Sequence, residues 1–195
     1  MGDLFDGYGA TATGRRRAAA WDEMFSDIAR PLPQLTRSPY RDIHAALAQM
    51  TTEELKGRAD ALADSYLAQG VTFDFAGEER PFPLDAVPRV IDQSEWAEVE
   101  TGVRQRVLAL EAFLADVYGD QRAIRDGIIP ARLISSSEHF HREAAGIVAA
   151  NNVRIQVSGI DLIRDETGGW RVLEDNVGVP SGVSYVISNR RVMAQ

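Results

Sequence analysis

The sequence predicts an α+β fold in which a mostly helical region leads into an antiparallel hairpin. Before residue 150, apolar side chains recur at helical spacing in two long segments, and after it two β-branched runs flank a turn signal. With 45% hydrophobic and 26% charged residues among 195, the composition is that of a globular protein rather than a disordered one. We expect a flexible N-terminal tail at 1–20, a helical region at 21–150, and a hairpin with a following helix at 151–195.

The first long helix is predicted over residues 51–70. Thr51 and Glu54 have the spacing of a capping box, in which each residue binds the backbone N–H of the other. Apolar residues then fall on one stripe, and Gly70 closes the segment, as glycine commonly does at the end of a helix.

The second long helix is predicted from Ser94 to Tyr118, where valine, leucine and tryptophan recur at helical spacing. Between the two long helices, residues 76–88 contain three prolines and are expected to form a loop. Shorter helices are expected at 120–126 and 136–149.

The texture of the chain changes near residue 150. The segments "NNVRIQVSGIDLIRD" and "GWRVLED" are expected to pair as a hairpin around the turn at 165–169. A Gly/Pro/Ser loop follows, and Ser181 is expected to cap the last helix.

Polar residues end the second strand of this hairpin where an apolar residue is expected. If Arg164 lies opposite Arg171, Asp161 lies opposite Glu174, and directly opposite side chains share one face of the sheet. Asn176 follows two residues after Glu174 and points to the same face, whereas Asp175 points to the other.

Two readings of this acidic strand end are open. The two carboxylates repel each other unless a positive charge lies between them, and Mg²⁺ prefers oxygen ligands, so the set could bind Mg²⁺ and a nucleotide phosphate. Alternatively, these side chains cap the strand, form salt bridges with Arg154 or Arg164, or face water.

The charge and composition of the chain limit the classes of partner that it can bind. The net charge of −8 and the pI near 4.9 argue against nucleic acid or an anionic membrane surface as a partner, because phosphate binding needs clustered cations. The chain has no cysteine, which excludes disulfides and thiolate sites and fits a cytoplasmic protein. Neither a signal peptide nor an apolar run of membrane-spanning length is evident.

The string "VSGIDLIRDETGGWRVLEDNVGVPSGVSYVISNRR" closely resembles a block of the circularly permuted ATP-grasp family, type 2, which is related to glutathionylspermidine synthase. Upstream, "WDEMF", "ERPFPLD", "QRVLALEAFLADVYG" and "DGIIP" match the N-terminal region of that family in the same order. The resemblance covers roughly residues 20–193.

The resemblance implies an ATP- and Mg²⁺-dependent ligase that activates a carboxylate as an acyl phosphate for attack by an amine or thiol. ATP would be a substrate, and the other substrates would be small molecules or peptides. Residue by residue, it implies that Asp161, Glu174 and Asn176 are the metal ligands. The loop of Pro180, Ser181 and Gly182 would approach the acyl substrate or a phosphate, with a plain N-cap as the other reading of Ser181.

Departures from the family pattern bear on activity. Gly178 stands where family members usually have a basic residue, and Lys56 is the only lysine, although the family's nucleotide pocket uses lysines. These features predict that the chain matches the N-terminal part of the family and holds an incomplete ATP-grasp sheet. A non-catalytic remnant or a binding module is the alternative, with a protein partner or self-association covering the incomplete sheet.

Asp22 and Glu23 in "WDEMF" are expected to form a solvated helix start. The alternative, implied by the resemblance, is that they reach the active site.

Overall fold

The structure, a computed structural model, describes residues 4–5, 21–26 and 35–193. In this part helices and antiparallel strand pairs are mixed, which confirms the α+β class. The strands form three two-stranded sheets: β1 with β2, β3 with β4, and β5 with β6. The bounds in chain order are β1 Phe25–Ser26, β2 Leu35–Thr36, α1 Arg41–Leu47, α2 Thr52–Ala68, β3 Thr72–Phe75, β4 Glu78–Pro81, α3 Gln93–Val117, α4 Arg122–Arg125, α5 Ala131–Ser135, β5 Ser158–Arg164, β6 Trp170–Val177 and α6 Val183–Met193.

The chain divides into two compact units, and the β5–β6 hairpin contributes residues to both. The first unit comprises Met1–Gln93, Leu162–Arg171 and Ser181–Gln195, and the second comprises Ser94–Asp161 and Val172–Pro180. The predicted division at residues 20 and 150 stays a prediction. The predicted tail at 1–20 lies outside the described residues, apart from the pair at 4–5.

A small aromatic core organises the first unit. Met24, Phe25, Tyr40 and Leu47 are buried together, and Phe5 stacks on the ring of His44 with 4.7 Å between centroids. The hydroxyl of Tyr40 accepts a hydrogen bond from a backbone N–H of the segment before α3, at 2.8 Å. His44 is therefore a packing residue in this core.

The capping box predicted for α2 is confirmed. The backbone N–H of Glu54 donates to the Thr51 hydroxyl at 3.2 Å, and the backbone N–H of Thr51 donates to the Glu54 carboxylate at 2.7 Å. The backbone N–H of Thr51, and after it the Thr51 hydroxyl, donate to the Glu54 carboxylate and hold its pKa below the usual value. Gly70 follows the helix at a φ of +65°, which glycine adopts without strain.

The loop predicted at 76–88 is wrong in its first part, because residues 78–81 pair with β3. Phe75 lies opposite Glu78 across a two-residue turn, in which Ala76 and Gly77 have φ values of +56° and +86°. Hairpin turns of this kind usually carry Asn-Gly or Asp-Gly. Because alanine stands in the first position of this turn, the sequence does not indicate a hairpin here.

The second unit contains α3, whose observed span differs from the predicted helix by one residue at each end. Val99 and Val117 are its buried positions. No helix in the described part of the chain is long and apolar enough to cross a membrane.

The helix predicted at 136–149 is wrong. Only Arg142–Ala144 forms a single 3-10 turn there, and α4 covers the middle of the helix predicted at 120–126. Serines at the end of α5 favour a turn, and Gly146 takes a φ of +82°. Phe140 stacks on Tyr118 with 5.3 Å between centroids, so that packing overrides the weak local preference for helix.

The turn predicted at 165–169 is confirmed, and Asp165 organises it. Its carboxylate accepts hydrogen bonds from the hydroxyl and backbone N–H of Thr167, from the backbone N–H of Gly169 and from the Arg171 guanidinium, at 2.7–3.0 Å. These donors, the Thr167 hydroxyl first, hold the pKa of Asp165 far below its usual range. The ionised carboxylate therefore fixes the hairpin turn.

We expect Asp165→Asn to destabilise the first unit at neutral pH and much less in acid. The pKa of Asp165 is lower in the folded state than its unfolded value of 3.8, so its contribution is complete above that value and is lost as pH falls through the folded pKa. Thermal midpoints of the chain and the variant, compared from pH 7 to pH 2, should converge below pH 3.8. Glu166→Gln, at an exposed acid of the same turn, is the control. A gap that stays constant across this range would contradict the expectation.

Candidate functional site

The pairing of β5 with β6 differs from the predicted register near the turn. The backbone N–H of Asp165 donates to the carbonyl of Gly169 at 3.0 Å, which places Trp170 opposite Arg164. The prediction that Arg164 lies opposite Arg171 is therefore wrong at this end of the hairpin.

Near the other end of the hairpin the register has moved by one residue. A Cβ built on Gly159 would lie 3.8 Å from the Cβ of Asn176, which indicates that these two residues lie opposite each other. β6 thus uses one residue more than β5 over the same ladder, as a β-bulge does. Leu173 and Glu174 are consecutive exposed positions and break the alternation of β6, which indicates that the extra residue lies at this point, opposite Asp161.

The bulge brings the predicted ligands to one face of the hairpin. Asp161 and Glu174 are exposed, and Asn176 shares the face of Gly159, two residues from Asp161 in β5. Within the described ranges, the side chains of Asp161, Glu174 and Asn176 make no hydrogen bond or ion pair. Their oxygens are therefore available to a ligand.

The salt-bridge reading of these acids does not hold in the structure, because both candidate arginines have other partners. Glu111 of α3 accepts hydrogen bonds from the backbone N–H groups of Arg154 and Ile155 at 2.9–3.0 Å, and its carboxylate lies 3.3 Å from the Arg154 guanidinium. The N–H of Ile155 is the first cause of the lowered pKa of Glu111. Arg164 pairs with Glu23 at 3.0 Å.

Asp175 lies on the opposite face of β6 from the candidate ligands, as the alternation predicts. Arg106 of α3 holds it through two parallel bonds, at 2.6 Å from Nε and 2.5 Å from Nη2. The hydrogen bond from Arg106 lowers the pKa of Asp175 and raises that of the guanidinium. Nothing in the sequence distinguishes Arg106 from Arg104, the other exposed arginine of α3, as this partner.

The loop after β6 turns back beside the hairpin. A Cβ on Gly159 would lie 3.0 Å from the Cβ of Pro180, a contact so tight that Pro180 would have to move by a few tenths of an ångström. The predicted N-cap role of Ser181 is wrong, since the first helical bond of α6 runs from the N–H of Val186 to the carbonyl of Gly182. Ser181 is exposed and lies two residues before Val183, the first residue of α6.

Two residues of the recognisable block anchor α6 within the first unit. The hydroxyl of the buried Tyr66 in α2 donates a short hydrogen bond to Oδ1 of Asn189. Tyr185 stacks on Phe82 with 4.2 Å between centroids, and its hydroxyl donates to the carbonyl of Thr72 at 3.1 Å. Asn189, which had no predicted role, therefore positions α6.

The predicted solvated helix start at "WDEMF" is wrong. Glu23 lies in an irregular segment before β1, and its side chain is 22% exposed. Besides Arg164, Arg89 approaches its carboxylate to 2.8 Å and Arg37 to 3.7 Å. The ring of Trp170 stacks against the Arg164 guanidinium at 4.0 Å, so this cluster is a structural ion-pair network.

The donor set of the hairpin face fits Mg²⁺ in its chemistry. It offers two carboxylates and one amide oxygen, and Mg²⁺ commonly takes one or two protein carboxylates and fills its shell with water and phosphate oxygens. Across residues 4–5, 21–26 and 35–193, no group of three or more histidine, aspartate or glutamate side chains could hold a metal ion. The hairpin face is thus an open shelf rather than a closed metal cage.

Comparison with known proteins places the chain among longer relatives. Residues 88–195 match the family model described as circularly permuted ATP-grasp type 2. An uncharacterized protein of Mycobacterium tuberculosis is 55% identical over 192 residues, which cover 98% of this chain and 33% of the relative. A Synechocystis protein is 41% identical over 177 residues, covering 89% and 36%. A Frankia alni protein named "Putative glutamate--cysteine ligase 2-3" is 38% identical over 180 residues, covering 91% and 20%.

The chain spans about a third of the length of the mycobacterial relatives that are 55% identical to it. The family match covers more than half of the chain and includes both the hairpin and the loop after it. The chain belongs to the circularly permuted ATP-grasp family, type 2.

Proposed function

We propose that this chain carries the metal-binding hairpin of an ATP- and Mg²⁺-dependent ligase. The single observation that supports this most directly is the exposed hairpin face, where Asp161, Glu174 and Asn176 share one side without other partners. An oxygen-rich face without internal partners suits a hard cation with an open coordination shell.

Asp161 and Glu174 would hold Mg²⁺ through their carboxylates, and Asn176 would add its amide oxygen. The bound cation would neutralise charge on the triphosphate of ATP. The loop of Pro180, Ser181 and Gly182 would contact the acyl substrate or a phosphate, since backbone N–H groups at the start of a helix can bind an anion.

The reaction we propose joins a carboxylate to an amine or thiol through an acyl phosphate. The carboxylate attacks the terminal phosphate of ATP and releases ADP, and the nucleophile then displaces inorganic phosphate. The ligase name of the Frankia alni relative agrees with this class of reaction. We extend the proposal to a relationship with glutathionylspermidine synthase, on the resemblance of residues 157–191.

We also propose that the chain corresponds to the N-terminal portion of such a ligase. It covers about a third of its mycobacterial relatives, and its single lysine, Lys56, is exposed on α2. The phosphate-binding lysines of the nucleotide pocket would then come from another part of the full protein.

Calorimetric titration of ATP into the 195-residue chain, with and without Mg²⁺, tests the proposal. We expect weak binding that requires Mg²⁺, because the hairpin face offers the triphosphate a cation site and few cationic side chains. Mg²⁺-independent binding of equal strength would contradict the proposal, as would no binding by either this chain or a full-length relative.

A second candidate function is a binding module that keeps the fold without catalysis. The observation that favours it is the exposed apolar face of α6, where Val183, Val186 and Ile187 are 56%, 66% and 51% exposed. Such a face suits a protein partner or a second copy of the chain. Sedimentation at increasing concentration would reveal self-association, and ligand binding indifferent to Mg²⁺ would favour this candidate.

A further inference from the structure

The phase of β6 decides whether the candidate ligands share a face. Side chains alternate along a strand, so a slip of one residue would turn Glu174 and Asn176 away from Asp161. The bulge at Leu173–Glu174 interrupts the alternation immediately before these residues. Only three residues of β6 remain past the bulge, up to Val177, so a further contact on this short end helps to fix its phase.

Asp175 supplies that contact from the reverse face. It lies between Glu174 and Asn176 in the chain. Arg106 donates one hydrogen bond to each of its carboxylate oxygens, and we call this bidentate pair the fork. The Asp175 side chain is 19% exposed, and Arg106 belongs to the 25-residue helix α3. A residue held toward α3 forces both of its neighbours to point away from α3.

We propose that Arg106 and Asp175 are positioning residues, which lock β6 in the phase that presents Glu174 and Asn176 beside Asp161. The inference rests on the proposed function for its purpose, since the presented face is the candidate Mg²⁺ site. The fork would fix the direction in which the side chains of β6 point, and neither Arg106 nor Asp175 would be a metal ligand.

The alternative is an ordinary surface ion pair, which contributes little to stability and nothing to the opposite face. The two cases differ in what loss of the fork does to Glu174. A surface pair can be removed without consequence there, whereas removal of a positioning pair lets the strand end sample the other phase.

Cysteine cross-linking measures the phase of β6 relative to β5 and needs no metal. The natural chain has no cysteine, so the double substitution Asp161→Cys/Glu174→Cys provides a unique pair. Residues on opposed strand positions with the right spacing form a disulfide, whereas those pointing to opposite faces do not. We expect rapid oxidation in this background and oxidation slowed several-fold when Arg106→Met is added. Arg104→Met, at an exposed arginine two residues away on α3, should leave the rate unchanged.

Binding of Mn²⁺, a spectroscopic substitute for Mg²⁺, measures how loss of the fork changes the metal affinity of the hairpin face. Electron paramagnetic resonance titration should show affinity reduced about tenfold in Arg106→Met and in Asp175→Asn, with little change in the thermal midpoint. The charge-exchanged pair Arg106→Asp/Asp175→Arg should recover part of the affinity, because it restores an ion pair across the same two positions.

The two readouts separate the possible failures. An unchanged cross-linking rate in the Arg106→Met background would overturn the positioning role, whatever the metal data show. A slowed rate would support it. Absence of Mn²⁺ binding to the unsubstituted chain would count against the proposed function and would leave the cross-linking result to decide the role of the fork.

Discussion

Glu174→Gln is expected to weaken Mg²⁺ binding by at least about tenfold and to abolish detectable Mg²⁺-dependent binding of ATP. Glutamine keeps the size of the side chain but removes the negative charge, which leaves Asp161 as the only carboxylate on the hairpin face. Changes to groups that merely support a metal ligand already cost about 10–100-fold in metal affinity. Loss of a ligand's own charge should cost at least as much, because Mg²⁺ binds through charged oxygens.

Mn²⁺ titration followed by electron paramagnetic resonance and calorimetry with ATP and Mg²⁺ together measure this effect. Asp161→Asn should behave like Glu174→Gln, because each substitution removes one of the two carboxylates of the proposed Mg²⁺ site. Glu166→Gln, which removes an exposed acid from the turn of the same hairpin, should leave both measurements unchanged. Equal losses in the turn variant and the face variants would show a general charge effect and would contradict the assignment of ligands.

Tyr66→Ala is expected to destabilise the first unit by about 3–5 kcal/mol, the range for truncation of a buried aromatic side chain. Tyr66 is fully buried, and its burial raises the pKa of the phenol. The truncation opens a cavity under α2 and also removes the hydroxyl that donates to Asn189 of α6. Since typical domains are stable by only about 5–15 kcal/mol, this change takes a large part of the stability of the unit.

Urea unfolding followed by far-ultraviolet circular dichroism measures this loss, with Tyr66→Phe as the matched variant. Phenylalanine preserves the packing and removes only the hydrogen bond, so we expect a loss of about 0.5–1.5 kcal/mol. Leu67→Ala, at a 46% exposed neighbour on α2, should cost far less than Tyr66→Ala. A loss for Tyr66→Ala no larger than that for Leu67→Ala would show that burial of the Tyr66 side chain does not stabilise this unit.

Local signals were sufficient where the cause of a structure lies within a few residues of chain. The capping box at Thr51 and Glu54 forms as predicted, and the periodic apolar pattern sets the span of α3 to within a residue. Asp165 and the glycines that follow it define the hairpin turn in the same way. Each of these features depends on contacts between neighbours in the sequence, and such contacts can be predicted from a single sequence.

Weak or disguised local signals gave errors. The segment 136–149 has no capping or periodicity strong enough to resist the packing of Phe140 on Tyr118. The β3–β4 turn uses Ala76 at positive φ, a choice that the usual turn chemistry does not indicate. Propensity is a small bias per residue, so contacts between distant residues override it.

The sequence by itself determined the α+β class, the two long helices, the hairpin with its turn and the identity of the oxygen-bearing residues at its end. Only the tertiary structure decided that a bulge in β6 brings Glu174 beside Asp161, that Arg106 holds Asp175 from 69 residues away, and that Tyr66 holds Asn189 from 123 residues away. The physical reason is range. Helix and turn geometry follow from neighbouring residues, whereas strand phase and long-range partners follow from which surfaces pack together.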